Sequence, residues 1–593
     1  MKRILCTLAA ALIATLSFAI PAHPGIFRYT QPDGTVIELR RHGDEFLNWT
    51  TLASTGQVMV LGEDGFYRPG AIDPAARAAG RAARARVNRL RAQSAPGLRT
   101  THNDNPITHG EHHIPVLLVE FSDLSFSISD PAAQFDALLN QKGYSANGAT
   151  GSVQDYYVDN SGGEYVPVFD VYGPVKLSNP MAYYGKGSND DNAALAVSEA
   201  ATLLDSQINF ADYDADNDGD VDMILMYYPG YNQAEGGPED SIWPHQWYVY
   251  LKKSTRLDGK RLARYFCTSE YKYNSGARMC GIGTTTHEFG HSLGLPDFYD
   301  TDYEENGEAG ALYNFSTMCS GGYNNESRTP PYFNAEERKY LGWMSDSDIP
   351  NLPDGDVRFG SIKDGVAFRS PTETEGEYFL YECRDGSGWD APLPSGLVVY
   401  HVDKSKTRSV GGISPYDQWN QWEMYNSINA YGNHPCFYII PSYSPTSLNF
   451  RYSSEYIVFP GSARVKTYSP VDWDGNETGL HLSGISFSNG KVSMAVEGGE
   501  VSTDDCAADF SAMGFNLIHP GESLNHTAGE NFALKLVEAA DGAQIPTAVR
   551  WRYDGVETTE ETVELTSGRH VVEAVLTLAN GREEVLELVL DVQ

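Results

Sequence analysis

The sequence predicts a multidomain chain in which an α+β domain is followed by β-sandwich-type domains. Three observations carry this. At 593 residues the chain exceeds what a single hydrophobic core organises. With 41% hydrophobic and 21% charged residues it has the composition of folded domains. Between residues 110 and 345 buried-type strands, as at 113–121, are interspersed with helical runs, as at 192–204. Beyond Trp343 the pattern is β throughout, as at 378–382, 396–403 and 490–496, broken by Gly, Pro and Asn clusters.

Residues 1–22 read as a signal peptide: Lys2 and Arg3, an apolar run from Ile4, and small residues around Ala19 and Ala22. No later stretch is long and apolar enough to be a transmembrane segment. The expectation is a secreted protein, extracellular or periplasmic. Residues 23–109 are expected to form a propeptide. It combines β-prone runs with turns at Pro32-Asp33-Gly34 and Glu63-Asp64-Gly65, an Ala/Arg-rich helix over 75–93, and a polar linker. The first 110 residues hold 13 Lys and Arg against 8 Asp and Glu, in a chain of net charge −36. A basic leader on an acidic body suits a detachable segment docked by charge, and so acidic a body excludes nucleic acid as the expected partner. No cysteine lies between Ala22 and Cys267, so no thiol of this segment can cap a metal. Cys267, Cys280, Cys319, Cys383, Cys436 and Cys506 follow, with no pairing specified by their spacing.

Asp214, Asp216, Asp218, Asp220 and Asp222 surround Gly219 in an Asp-rich loop. Acidic side chains at loop positions 1, 3, 5 and 9 with Gly at 6 are the oxygen pattern of a calcium loop. Position 12 is Leu225, inside an apolar run that reads as a strand, so a single structural Ca2+ loop is expected and not an EF-hand. His245, in the aromatic cluster Trp243-Pro244-His245-Gln246-Trp247, reads as a packed or cleft-lining residue.

The chain's chemistry centres on His287-Glu288-Phe289-Gly290-His291-Ser292-Leu293-Gly294-Leu295-Pro296-Asp297. On a helix, residues four apart share a face, so His287 and His291 present two imidazoles to one zinc ion, with Glu288 beside them. Gly294 and Pro296 end the helix and let Asp297 fold back as a third ligand. Continued helically, the chain would carry Asp297 about 9 Å past His291 on another face. Glu336 and Glu337 are the alternative source of a third ligand, but they lack the Asn-Glu-x-x-x-Asp type of context of a downstream ligand helix. Two imidazoles and one carboxylate leave a fourth position for water.

Gly281-Ile282-Gly283-Thr284, the His287–Asp297 motif (HExxHxxGxxD), Phe298-Tyr299-Asp300, the turn around Met318 and Leu341-Gly342-Trp343 together resemble the immune inhibitor A-like family of secreted bacterial zinc metallopeptidases. The resemblance extends over residues 110 to 498 and includes Trp389-Asp390 and Tyr400-His401-Val402-Asp403. It implies a metzincin-like zinc metallopeptidase catalytic domain at 110–345, a β-rich domain at 346–498, and peptide-bond hydrolysis by zinc-activated water. Glu288 is the implied general base and Met318 the Met-turn residue, with Tyr323 offered as a stabiliser of the transition-state oxyanion. The strand at 264–273 is the implied sheet edge on which protein or peptide substrates pair. The expected activity is that of a hydrolase, a zinc-dependent endopeptidase made as a zymogen. The alternative is a surface-binding or adhesion protein on an inactive metallopeptidase scaffold, which would have no chemical need of Glu288. Residues 499–593 alternate strands with turns, Asn580-Gly581 among them, as in an immunoglobulin-like β-sandwich domain.

Overall fold

Val116, Leu117, Leu118 and Val119 are all fully buried. Side chains of a strand alternate between faces, so the sheet that holds them must be covered on both sides. In the computed structural model of the chain the described residues are 17–18, 20–83, 107–185, 192–301, 303, 309, 311–406, 426–444, 454–499, 515–517, 525–538, 548–560, 562–577 and 583–592. Six strands make the central sheet: β1 (Ser17–Phe18), β2 (Gly110–Glu120), β3 (Tyr165–Lys176), β4 (Ile224–Tyr231), β5 (His245–Tyr248) and β6 (Arg264–Tyr271). Their order is β1-β5-β6-β4-β2-β3. β6, β4, β2 and β3 are parallel, while β5 and then β1 are added antiparallel.

Four helices cover the sheet: α1 (Pro131–Asn140), α2 (Val153–Asn160), α3 (Ala193–Leu204) and α4 (Gly283–Leu293). Ile114, Val116 and Leu118 share a core with Phe135 of α1, Tyr157 of α2 and Phe289 of α4. Leu117 and Val119, on the other face, pack with Ala196, Ala200 and Leu204 of α3. One sequence expectation fails here. The strand at 264–273 is not the sheet edge, because β6 lies between β4 and β5, and β5 is bordered on its far side only by the two-residue β1. Every residue of β6 after Arg264 is buried, so its run reads as a strand without showing what flanks it.

Residues 27–69 form a five-stranded antiparallel sheet with its own core of Phe27, Leu39, Met59 and Tyr67. A helix follows at 74–83; the remainder of the stretch expected to be helical, and most of the linker, lie outside the described residues. After α5 (Ala335–Leu341) come a four-stranded sheet between Ala367 and Ile440 and a three-stranded one between Gly355 and Glu497. Phe379 and Val399 of the first share a core with Val492 and Met494 of the second. The opposite face of the four-stranded sheet, through Leu380 and Val398, belongs to the same core as Phe289 of α4. A further five-stranded sheet occupies 525–592, and Asn580-Gly581 lies outside the described residues. The architecture is mixed α/β with multiple sheets. Cys267, Cys280, Cys319, Cys383 and Cys436 are buried free thiols, while Cys506 is outside the described residues. No described helix is long and apolar enough to cross a membrane.

Candidate metal centre

All eleven residues of α4 are buried, and the helix ends where the sequence places its end. Gly294 adopts φ 112°, a conformation an L side chain resists, and the N–H groups of Gly294 and Leu295 close back on His291 and Gly290. The helix is fixed by α2, whose Tyr157 hydroxyl donates to the Thr286 carbonyl (2.7 Å), and by β4, whose Tyr227 bonds Thr285 (2.6 Å).

The reversal after Gly294 brings Asp297 back to the two histidines. His287 Nε2 and His291 Nε2 are 3.1 Å apart, and Asp297 Oδ1 lies 3.5 and 3.1 Å from them. Each Nδ1 is engaged by a backbone carbonyl, Thr317 O at 2.7 Å and Leu295 O at 2.8 Å. These bonds direct both Nε2 lone pairs to a common point, the arrangement that orients metal-binding imidazoles. Asp297 Oδ1 is buried and accepts no hydrogen bond. Burial pushes the Asp297 carboxyl up, but the facing imidazoles outweigh it and hold it below the usual carboxylate range. The separations fit the edge of about 3.3 Å that a tetrahedral site with bonds of about 2.0 Å requires, and an N, N, O donor set suits zinc. The residues present therefore fit a metal ion.

Glu288 follows His287 on α4. Its carboxyl is fully buried, which drives its pKa well above the ordinary value, and the N–H of Ile20 donates to Oε1 at 2.7 Å. Met318 lies against α4 at Gly290: its carbonyl accepts from Phe298 N (2.9 Å), and a Cβ on Gly290 would lie 2.7 Å from its sulfur. Glycine at 290 is thus the condition for Met318 to lie against α4. Glu337 secures this turn through the Ser316 hydroxyl (2.5 Å), which in turn accepts from Met318 N (3.0 Å). Glu336 is tied to Lys404 (2.6 Å) and Tyr378. Both glutamates are therefore occupied structurally. The Tyr323 hydroxyl donates to the Pro21 carbonyl at 2.7 Å.

One residue at the site was not foreseen. Asn426 takes Asp297 in two bonds, its Nδ2 donating to Oδ2 (2.7 Å) and its Oδ1 accepting from Asp297 N (2.6 Å). Nothing near position 426 in the sequence marks it.

In the Asp-rich loop, Asp214, Asp216 and Asp218 bring ligand atoms within 4.8 Å of one another. Asp214 also meets Lys260 Nζ at 2.5 Å and accepts from Asp218 N and Gly219 N, each at 3.0 Å. Asp220 turns away to pair with Arg261, and Asp222 accepts from Ala215 N (2.8 Å). Burial raises Asp222 to about 7. His245 is packed, with ring nitrogens on Trp243 O (2.6 Å) and the Tyr265 hydroxyl (2.8 Å). His401 and Asp403 take separate partners, Glu377 and His434.

A buried helix bearing two imidazoles, a returning carboxylate and an adjacent glutamate, set beside a sheet edge, is a peptidase-type centre. Residues 109–344 match the catalytic domain of the immune inhibitor A peptidase M6 family. Among curated proteins, the chain is 30% identical over 236 residues to the pre-pro-metalloprotease PrtV of Vibrio cholerae serotype O1, a match covering 35% of this chain and 25% of that one. It is 26% identical over 268 residues to immune inhibitor A of Bacillus thuringiensis subsp. alesti, covering 38% and 39% of the two chains. The chain thus spans well under half the length of these relatives. A solved structure, OgpA from Akkermansia muciniphila, aligns over 81% of this chain and 92% of that one at 11% identity, but its TM-score of 0.23 carries no argument.

Proposed function

We propose that the chain is an exported zinc-dependent endopeptidase, made as a zymogen, with a metzincin-like catalytic domain at 110–345. The observation that carries this is the convergence of His287, His291 and Asp297 beside a buried Glu288 whose Oε1 already holds a peptide N–H. His287, His291 and Asp297 would hold zinc, which when bound would supply Lewis acidity toward a water and the scissile carbonyl. Glu288 takes the proton from the attacking water and returns it to the leaving amine. Its burial, which favours the protonated form, suits the second transfer. Met318 supports α4 at Gly290, and β5, once β1 has left with the leader, offers its edge to substrate backbone.

Several contacts support residues 23–109 as a propeptide. Tyr67 donates to Glu239 (3.0 Å), Arg41 pairs with Glu239 (3.6 Å), and Trp49 packs edge-on against Tyr303. These contacts hold the N-terminal unit against the 110–345 domain, with basic Arg41 on acidic Glu239. We assign the Asp-rich loop to Ca2+ through Asp214, Asp216 and Asp218, as a structural and not a catalytic ion. We take 346–498 and 499–593 as β domains that follow the catalytic one.

The test is casein hydrolysis by metal-replete exported protein and by its Glu288→Gln variant. The variant is expected to keep its zinc and its fold while losing about 10²–10⁴ in rate. Equal rates would reject Glu288 as the base.

A further inference from the structure

Residues 20–23 of the chain are held through their backbone beside Glu288, and their placement is that of a substrate. The backbone N–H of Ile20 donates to Glu288 Oε1 at 2.7 Å, and Trp243 Nε1 donates to the Ile20 carbonyl at 3.0 Å. The Tyr323 hydroxyl donates to the next carbonyl, Pro21 O, at 2.7 Å, and His23 N donates to Ala234 O at 3.0 Å. Upstream, β1 pairs antiparallel with the edge strand β5, Ser17 opposite Trp247 and Phe18 opposite Gln246. Backbone contacts of this kind accept any sequence; the Ile20 side chain is where selection enters. It is fully buried among Ala234, Trp243 and Tyr323, and a Cβ on Gly322 would stand 3.4 Å from its Cδ1.

In peptide hydrolysis the base that takes a proton from water gives it to the leaving nitrogen. Breaking the bond before Ile20 would free that nitrogen as a new amino terminus, and it is the nitrogen that Glu288 holds. We infer that the pocket of Ala234, Trp243, Gly322 and Tyr323 selects the residue following the cleaved bond, and that it takes a medium-sized aliphatic side chain: isoleucine, valine or leucine. None of Ala234, Trp243, Gly322 and Tyr323 carries a charge that could pair with an acidic side chain, so an acidic residue among them would be buried at a cost. Glycine would leave the pocket empty. Tyr323 then acts as a holder of the second carbonyl downstream of the cut, not as a stabiliser of the oxyanion. This inference rests on the peptidase reading above, and the two can fail separately.

The exported protein, loaded with zinc and with its amino terminus mapped past residue 22, is incubated with a proteome-derived peptide library, and the new termini are read by mass spectrometry. We expect Ile, Val and Leu after the cut at least tenfold above Gly and Asp, since a single methylene in an apolar pocket is worth about 10-fold or more. Ala234→Leu should move the preference toward Ala and Gly. Tyr323→Phe should raise KM without changing the first-position preference. Chelator-sensitive hydrolysis with no aliphatic preference would overturn the pocket and leave the peptidase reading standing. If no peptide or casein is cut at all, the peptidase reading falls, and the pocket is judged by binding alone. C-terminally labelled Ile-Pro-Ala-His should bind the exported Glu288→Gln protein at least tenfold more tightly, by fluorescence anisotropy, than Asp-Pro-Ala-His. Equal binding overturns the inference.

Discussion

Replacing Asn426 by alanine tests whether the third ligand is held from outside the zinc motif. Asn426 Nδ2 donates to Asp297 Oδ2 at 2.7 Å, leaving Oδ1 directed at the two Nε2 atoms. Both residues are buried, Asn426 at 4% and Asp297 at 2% exposure, so water cannot readily replace the lost donor. A hydrogen bond to a charged group contributes about 1.5–3 kcal/mol, which as a change in metal affinity is about 10- to 100-fold. Asn426→Ala should therefore weaken zinc binding by one to two decades and lower Tm, while His287 and His291 keep their bonds to Thr317 O and Leu295 O. Competition with a chromophoric chelator measures the first and a thermal melt the second. Asn426→Asp should do no better, since it sets a second carboxylate against Oδ2. Unchanged zinc affinity in Asn426→Ala would refute the idea that this bond orients Asp297.

Asp297→Ala should abolish stoichiometric zinc after dialysis, read by elemental analysis; full retention would move the third ligand elsewhere. Gly290→Ala puts a Cβ 2.7 Å from the Met318 sulfur and should cost about 1–3 kcal/mol, seen as a lower denaturation midpoint. Calcium at a hundredfold excess over Kd should stabilise the Glu288→Gln protein by about 2.7 kcal/mol, and the Asp216→Ala, Asp218→Ala double variant should lose that gain. Glu337, raised to about 7 chiefly by burial, keeps its proton longer folded than unfolded. The stability it contributes is therefore complete below about pH 4.5 and declines toward pH 7, by at most about 3 kcal/mol. Glu337→Gln should flatten that part of the pH–stability curve, and an unaltered slope would count against the assignment.

The convergence of His287, His291 and Asp297 was legible because its information is local. The spacing of His287 and His291 and the stop at Gly294 and Pro296 act within one turn of helix and the reversal after it. Asn426 was not legible, because it reaches Asp297 across 129 residues of chain and asparagine in a loop carries no signature. The sheet edge was misplaced for a related reason. β5 is four residues long within an aromatic cluster, while the longer β6 has the stronger strand pattern, and strand pattern does not report neighbours. The Asp-rich loop was half legible: spacing brings Asp214, Asp216 and Asp218 together, but the diversion of Asp220 to Arg261 depends on a pairing between distant strands. The end of the leader reads only as small and apolar residues, and its place beside Glu288 follows from the fold.

The link between metal and hydrolysis is the most direct point of test. Exported protein is stripped with a chelator and titrated with zinc while casein cleavage is followed. The account predicts that activity is lost on stripping, returns in proportion to zinc, and saturates at one ion per chain, with no return in a His287→Ala, His291→Ala protein. Undiminished cleavage by the stripped protein, or recovery in the double variant, would contradict it.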